Sequence, residues 1–354
     1  MDMSRHVNAQ RGRAWATLRS MTRTRSLTAG PLAWLRKVRG EPRYHALLDE
    51  VTEALASGRN AEAEAKCKAA LALAEEIYGS DRPELCTPLY VLASVQLSAG
   101  RPAEAEEVSA RAVSLAESSP GEVEPPLPRI LEQLAAIRER LGKVSEVEAL
   151  FRAMLAGYEK MRAPDPIERA AAHNRLALLL GKKGEREEAA RLFGRALALR
   201  EEALGPQHPL VAEALHNAAT YRPKDASPEE AERMFRRALA IVTEAPGDVD
   251  PGLRPAILHN LAVVCEEQGK ADEARAFYEE ALAARERLVG AESPALRPTL
   301  VRLARLLDAS GRFAEAKPLY ERALALVARE LGEDHAIARS IRAWLEGPEG
   351  DKPS

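Results

Sequence analysis

The sequence predicts an all-α fold, a right-handed α-solenoid of about seven helix-turn-helix repeats. Hydrophobic residues make up 46% of the chain and aromatic residues only 4%, so the core is expected to be built mainly from alanine and leucine, which let helices approach closely. A marker residue recurs every 42 or 43 positions and is glycine in all but one repeat: Gly58, Gly100, Gly142, Gly184, Ala226, Gly269 and Gly311. A helix pair of this length cannot bury its apolar face alone, so the repeats are expected to stack.

Three columns of mostly small residues are in register with the marker, and each marks a place where neighbouring helices cross closely. The column seven positions before it is Val51, Ala93, Ala135, Ala177, Ala219, Ala262 and Ala304. The column five positions after it is Ala63, Ala105, Val147, Ala189, Ala231, Ala274 and Ala316. The column twelve positions after it is Ala70, Ala112, Met154, Ala196, Ala238, Ala281 and Ala323. An aromatic residue nine positions after the marker fills the space between helices in repeats 3 to 7, as Phe151, Phe193, Phe235, Tyr278 and Tyr320.

Each repeat is predicted to hold two amphipathic helices around a tight turn, with a second helix of roughly 18 residues. Repeat 5 departs from this pattern, because it has no turn glycine and contains YRPKDASPEEA from Tyr221 onward. Pro223 forces the preceding residue away from helical geometry, so the first helix is expected to stop about one turn early. Ser227 then provides an N-cap for the second helix. The interpretation is a locally longer turn, with a bend or contact point as the alternative.

The ends of the chain differ from the repeats in charge. Residues 1–40 carry eight Arg and one Lys against the single acid Asp2, which predicts a basic, disordered N-terminal arm. The alternatives are an arm that touches a membrane surface or an acidic partner, with Trp15 and Leu18 as apolar anchors, and a short capping helix at residues 31–38. Residues 41–347 are expected to form the repeat array with a C-terminal capping helix, and residues 348–354 a polar tail.

Composition and motifs argue against several classes of function. The net charge of −3, with both signs mixed, gives no expectation of nucleic-acid binding. Cys67, Cys86 and Cys265 are far apart and form no CxxC pair, so neither a zinc site nor a disulfide framework is indicated, and a reduced cytoplasm is expected. No phosphate-binding glycine loop and no GxSxG, HExxH or SxxK element is present in the sequence. We therefore expect no cofactor, no metal and no catalytic site.

The segment ILHNLAVVCEEQGK, residues 257–270, brings the residue types of a Cys/His/Asn hydrolase together. In a helix each residue turns about 100°, which puts Cys265 on a different face from His259 and Asn260. Cys265 shares the apolar stripe of Leu258 and Leu261, so it is predicted to be a small core residue.

The repeats resemble tetratricopeptide repeats, and the 42-residue period resembles that of the kinesin light chain type. The inter-repeat loops GPQHP at residues 205–209 and GEDH at residues 332–335 carry this resemblance, as do LHNAA at residues 215–219 and LHNLA at residues 258–262. The resemblance covers about residues 41–345. It implies a solenoid whose first helices line the inner surface and whose inner-face Asn side chains, here Asn217 and Asn260, hold a peptide backbone.

Polar residues nine positions before the marker are expected to form a ladder on the inner surface. Asn side chains there would both donate hydrogen bonds to a peptide backbone and accept them from it, and Arg side chains would bind carboxylates. The ladder reads Asp49, Val91, Gln133, Arg175, Asn217, Asn260 and Arg302. Asn174, one position earlier in repeat 4, is displaced from it. His216 and His259 are predicted beside the ladder, with Lys182 and Lys224 near the same edge. The predicted peptide-binding residues are therefore Arg175, Asn217, Asn260, Arg302, His216, His259, Lys182 and Lys224.

These features predict a non-catalytic adaptor that binds a peptide or protein segment, preferably an acidic one, in a concave groove. The first alternative is a structural assembly protein that localises a complex through its basic arm or outer surface. The second is an enzyme with a site on the repeat scaffold. A polar surface that only meets water is the simplest competing interpretation of the ladder.

Overall fold

A computed structural model describes residues 42–119, 123–244 and 250–346. In these residues the chain forms fifteen α-helices and two short 3-10 helices, with no strand. The all-α prediction is confirmed. The predicted basic arm, with its alternatives, and the polar tail lie outside the described residues.

First and second helices alternate along the chain. The first helices are α1 (Pro42–Ala56), α3 (Cys86–Ser98), α5 (Leu127–Arg140), α7 (Pro166–Lys183), α9 (Pro209–Thr220), α11 (Leu253–Glu267) and α13 (Arg297–Ala309). The second helices are α2 (Asn60–Tyr78), α4 (Pro102–Ser118), α6 (Val144–Lys160), α8 (Arg186–Leu204), α10 (Pro228–Glu244), α12 (Ala271–Val289) and α14 (Phe313–Leu331). The last helix is α15 (Ala336–Glu346). The second helices are 17 to 19 residues long, close to the predicted length.

The chain divides into two compact units between Pro164 and Asp165. The first unit contains α1 to α6 and the second contains α7 to α15. Within each unit every helix packs against the next one along the chain. Within a unit, a second helix therefore contacts the first helix of its own pair and that of the following pair, the arrangement expected of stacked repeats.

The three predicted columns lie in the core between packed helices. Every member of the three columns is buried, with an exposed fraction of at most 2%. The five aromatic residues are buried as well, and Cys67 and Ser109 occupy the same place in repeats 1 and 2. Small side chains at the crossings and larger ones between them thus produce a close-packed core without many aromatics.

Glycines lie in the turns where most first helices end, and histidines lie in the loops just before two helices begin. The six marker glycines all have a left-handed backbone, with φ between 72° and 89°, a conformation that disfavours residues with a Cβ atom. His208 caps α9 through Nδ1, which accepts a hydrogen bond from the Leu210 amide at 3.1 Å. His335 accepts from the Ile337 amide at 3.3 Å in the same way. Both loop histidines therefore serve the backbone.

Repeat 5 has the shortened first helix that its sequence predicts. Helix α9 ends at Thr220, six positions before the marker, whereas most of the other first helices end two positions before theirs. Ser227 accepts a hydrogen bond from the Glu230 amide at 3.4 Å and begins α10. The Tyr221 ring stacks on Phe193, with ring centroids 5.3 Å apart. The segment after α9 is thus fixed by packing rather than by a turn glycine.

Ion pairs recur between neighbouring repeats. A Glu six positions after the marker pairs with the cation that follows the next turn glycine, as Glu64–Arg101, Glu106–Lys143 and Glu232–Lys270. The hydrogen bond from the cation lowers the pKa of each carboxyl group. The carboxylates are mostly covered while the cations are more exposed, so each pair connects a second helix to the next turn.

Candidate peptide-binding surface

Side-chain contacts link the successive first helices of the second unit. Asn217 Nδ2 on α9 donates a hydrogen bond to Asn174 Oδ1 on α7 at 2.9 Å. Asn260 Nδ2 on α11 donates to Thr220 Oγ1 on α9 at 3.0 Å. On α13, Arg302 Nη1 lies 3.6 Å from a carboxylate oxygen of Glu266 on α11. We call Asn174, Asn217, Thr220, Asn260, Glu266 and Arg302 the polar row, because they follow one surface formed by the first helices.

The first unit contains a related contact. Gln133 on α5 donates through Nε2 to the Tyr90 carbonyl at 2.9 Å and to Ser94 Oγ at 2.7 Å, both on α3. Gln133 is buried. The same ladder position therefore connects first helices in both units, but in the first unit its side chain is enclosed.

The amides of the polar row keep hydrogen-bonding capacity for a ligand. Asn217 and Asn260 are partly exposed. Each uses one N–H in the row, and neither Oδ1 accepts a hydrogen bond from a residue in the described ranges. An extended peptide backbone needs one acceptor and one donor from such a side chain, and both are available at Asn217 and Asn260.

The two predicted histidines are largely covered by aromatic residues of the second helices. The His216 ring lies 5.8 Å from Phe235, and burial lowers its pKa to about 4. The His259 ring lies 5.5 Å from Tyr278, and burial, with smaller contributions from Arg285 and Arg302, lowers its pKa to about 4. Both rings are therefore neutral at pH 7, and a partner would reach only part of each.

A hydrogen bond fixes the orientation of the His259 ring. Its Nδ1 lies 3.0 Å from Thr299 Oγ1, which accepts a hydrogen bond from Arg285 Nη1 at 3.0 Å. The Thr299 hydroxyl therefore connects the His259 ring on α11 to the Arg285 guanidinium on α12. His259 thus serves the packing next to the polar row.

The predicted cations differ in their surroundings. Arg302 is exposed and faces Glu266. Arg175 is half-buried and already interacts within the protein. Lys182, near the end of α7, and Lys224, after α9, are exposed. The peptide-binding role of all eight residues remains a prediction.

A cleft of about 310 Å³ opens where α9 ends early, and we call it the repeat-5 cleft. The segment after α9, helix α11, Phe235 on α10 and Arg186 at the start of α8 line it. Its polar lining is Thr220, Arg222, Lys224, Asn260, Glu267 and Arg186, and its apolar lining is Pro223, Phe235, Val263 and Val264. Arg222 forms an ion pair with Glu267 across the cleft. Of the predicted binding residues, the cleft brings together Asn260 and Lys224.

Arg186, Arg222 and Glu267 were not among the sequence-predicted site residues. They lie at three different distances from the marker residues of their repeats, so no column of the repeat alignment groups them. The available signal was the interruption at Pro223, because a shortened helix uncovers the surfaces on either side of it.

Glu232, Cys265 and Glu273 place possible metal-ligating atoms within 4.8 Å of one another. The Glu232 carboxylate, however, accepts hydrogen bonds from Lys270 at 2.7 Å, Gln268 at 2.9 Å and Arg236 at 2.7 Å. Burial raises the pKa of the Cys265 thiol, so it is protonated at neutral pH. These three residues therefore belong to a salt-bridge network in which the charge of the Glu232 carboxylate is already neutralised.

All three cysteines are expected to resist modification in the folded chain. Each is fully buried and carries a free thiol, and burial raises the pKa of Cys67 and Cys86 to about 12. Titration with a thiol-reactive dye should detect no thiol in the native protein and three after unfolding. Rapid labelling of Cys265 in the native protein would contradict this account and revive the hydrolase hypothesis.

None of the helices in the described residues combines the length and the hydrophobicity that a membrane crossing requires.

Comparison with solved structures shows the same fold. BtubC (BKLC) from P. vanneervenii aligns with a TM-score of 0.50 and 24% identity over 72% of this chain and 95% of that chain. A tetratricopeptide repeat protein from Parabacteroides merdae ATCC 43184 aligns with a TM-score of 0.51 and 17% identity over 86% of this chain and 98% of that chain. A Podosopora anserina putative kinesin light chain with nearly identical TPR-like repeats aligns with a TM-score of 0.47 and 24% identity over 57% of this chain and 96% of that chain.

The sequence was also compared with family models and with curated proteins. No curated protein gives a significant match. The tetratricopeptide repeat model matches residues 54–118, 168–244 and 253–329, which together make up more than half of the chain. The resemblance inferred from the repeat spacing is therefore confirmed, and the chain belongs to the tetratricopeptide repeat family.

Proposed function

We propose that this protein is a non-catalytic adaptor whose second unit binds an extended peptide or protein segment along the polar row. Tetratricopeptide repeats generally mediate protein–protein interactions, and stacked helix pairs present long surfaces for that purpose. The observation that carries the proposal is the alignment of Asn217 and Asn260 on neighbouring first helices, each with an unused amide acceptor.

The charge of the surface supports an acidic partner segment. Arg302 belongs to the polar row and is exposed. Lys224 is exposed in the cleft that Asn260 also lines, and Lys182 is exposed near the end of α7. A carboxylate placed there would gain charge-assisted hydrogen bonds, which are stronger than neutral ones. The three free, buried thiols are compatible with a reducing compartment, and we propose the cytoplasm as the location.

The test is partner capture by a double variant, Asn217→Ala with Asn260→Ala. We expect capture to weaken about tenfold or more, since each amide would lose two hydrogen bonds worth about 1 kcal/mol apiece. Quantitative mass spectrometry of proteins retained by wild type and by the variant measures the effect. Asn60→Ala, on α2 in the first unit, is the matched control.

Folding of the double variant must be checked separately. Asn174 is buried, and Asn217→Ala leaves its Oδ1 without a donor, which costs about 1–3 kcal/mol. Circular dichroism at the capture temperature should show unchanged helicity. Equal retention of the same proteins by the folded double variant and by wild type would refute binding on the polar row.

A further inference from the structure

The repeat-5 cleft has an excess of positive charge that the protein does not neutralise. Arg186, Arg222 and Lys224 line it together with a single carboxylate, Glu267. Glu267 pairs with Arg222. Among the described residues, neither Arg186 nor Lys224 has an ion-pair partner. The cations in the lining therefore exceed the anions by two charges.

The hydrogen-bonding groups of the cleft are mainly donors. Guanidinium and ammonium groups only donate. Asn260 also has an amide N–H that the row does not use. The Thr220 hydroxyl donates to the His216 carbonyl at 2.7 Å and accepts from Asn260, so it is occupied. A ligand that fits this lining needs several acceptor atoms and about two negative charges.

Apolar side chains limit the access of water to these charges. Val264 and Phe235 are each 1% exposed and lie in the lining. A volume of about 310 Å³ is close to that of ten water molecules in the liquid, which is room for one charged side chain and not for a second polypeptide chain. Ion pairs gain strength where the surroundings are less polar than water.

We propose that the repeat-5 cleft binds a phosphorylated side chain of the partner segment, so that phosphorylation of the partner controls its capture. A phosphate monoester carries about −1.5 to −2 charges at pH 7 and offers three acceptor oxygens, which matches the two excess cations. A carboxylate would match only one of them. Asn260 belongs to both the polar row and the cleft, so a segment held on the row passes the cleft opening.

The Arg222–Glu267 ion pair describes the site in its ligand-free state. Without ligand, Glu267 neutralises Arg222. A bound phosphate competes with Glu267 for the guanidinium, and Arg–phosphate pairs form two parallel hydrogen bonds. Arg186 and Lys224 supply the remaining charge. This inference rests on the proposed function, since it assumes that the partner lies on the polar row.

Methyl NMR of the full chain tests the inference through the Val263 and Val264 signals. The probe is N-acetyl-O-phosphoserine N-methylamide, and it should shift both signals saturably, whereas the unphosphorylated serine probe should not. Lys224→Met and Arg186→Met should each weaken binding about tenfold, the loss of one charge-assisted contact. Lys317→Met removes the same charge from an exposed position on α14, outside the cleft lining, and should leave binding unchanged.

Several outcomes would overturn the assignment. They are no saturable shift with the phosphoserine probe, equal weakening by Lys317→Met, and equal or tighter binding of an N-acetylglutamate N-methylamide probe or of inorganic phosphate. If the phosphoserine probe does not bind while capture still depends on Asn217, the phosphate site is refuted and the proposed peptide-binding surface is not. If the phosphoserine probe binds as expected while capture does not depend on Asn217, the proposed function is refuted instead.

Discussion

Gly181→Ala should lower the free energy of unfolding of the second unit by about 3 kcal/mol or more, at the upper end of the cost of overpacking a core. A Cβ atom at Gly181 on α7 would lie 2.4 Å from Cδ1 and 2.7 Å from Cε1 of Tyr221. The clash is with the body of an aromatic ring, which has no flexible end to move aside. Chemical denaturation followed by circular dichroism measures the loss.

Tyr221 cannot move away from Gly181 without further cost. Its ring stacks on Phe193 with an interplanar angle of 22°, and such pairs contribute about 0.5–1.5 kcal/mol beyond burial. Tyr221 is also the first residue after the shortened helix α9. Displacing it would disturb the segment that leads to Arg222 and Lys224, so the variant should also weaken ligand binding in the repeat-5 cleft.

Gly194→Ala is the matched control. Gly194 lies in the interior of α8, and a Cβ atom there would meet no atom within 4 Å. Replacing a helical glycine by alanine at an open position stabilises by about 0.5–1 kcal/mol, so this variant should change stability in the opposite direction.

A double-mutant cycle with Tyr221→Ala separates the clash from helix propensity. Removing the ring in the Gly181→Ala background should relieve the overlap, so the two substitutions should couple by at least about 1 kcal/mol. Additive losses would show that the ring contact is not the cause of the instability.

Much of the fold could be predicted because each repeat obeys the same packing rule. A small residue at a close helix crossing and an aromatic nine positions after the marker recur at fixed spacing, and these positions are buried throughout. The early end of α9 was also predictable, since Pro223 acts on its neighbour locally. The contact between Gly181 and Tyr221 was not, because it depends on the path of the chain after α9, which no local rule fixes.

The candidate surface could be predicted only in part for a related reason. Asn217 and Asn260 occupy a repeated position, and the structure places both on the polar row. Asn174 lies one position off this column in the sequence, yet its side chain accepts the Asn217 hydrogen bond. Small differences in where each first helix begins change which residue meets its neighbour. Residues of the repeat-5 cleft share no column at all, since an interruption of the repeat brings them together.

The salt bridges between repeats were missed although they follow the repeat spacing. A Glu six positions after one marker and a cation one position after the next are visible in the sequence for Glu64–Arg101, Glu106–Lys143 and Glu232–Lys270. Charged residues are abundant on any solvated helix, so this pairing stands out only when the contact is known. Most exposed pairs contribute little, but burial makes Glu232 an exception.

Glu232→Gln should destabilise the second unit by about 3 kcal/mol, which makes it the second large effect expected here. Glu232 on α10 is 8% exposed. It accepts hydrogen bonds from Lys270 and Gln268 after α11 and from Arg236 on its own helix. Glutamine keeps the shape of the side chain but removes the charge, and its amide N–H₂ would face a donor in either orientation, the Lys270 ammonium or the Arg236 guanidinium. Glu230→Gln, at an exposed position on the same helix, is the control and should change stability by less than about 0.5 kcal/mol.

The effect of Glu232→Gln should depend on pH. The hydrogen bond from Lys270 is the largest of the interactions that lower the pKa of Glu232 from 4.5 to about 2. A carboxyl group whose pKa is lower in the folded state stabilises the protein at pH values above its ordinary pKa, and this contribution disappears as the pH falls toward the folded-state value. The difference in unfolding free energy between wild type and Glu232→Gln should therefore be constant at neutral pH and shrink between about pH 4.5 and pH 2.

The difference in unfolding free energy between wild type and Glu232→Gln is also free of the contributions of the buried histidines. His216 and His259 have pKa values lowered by burial to about 4, so both proteins lose stability as the pH falls from 6.5 toward 4. That loss is common to wild type and variant, because neither histidine contacts Glu232 in the described residues. Urea unfolding at a series of pH values gives both curves. A difference that stays constant down to pH 2, or one already absent at pH 7, would show that the Glu232 charge does not hold α10 to the turn between α11 and α12.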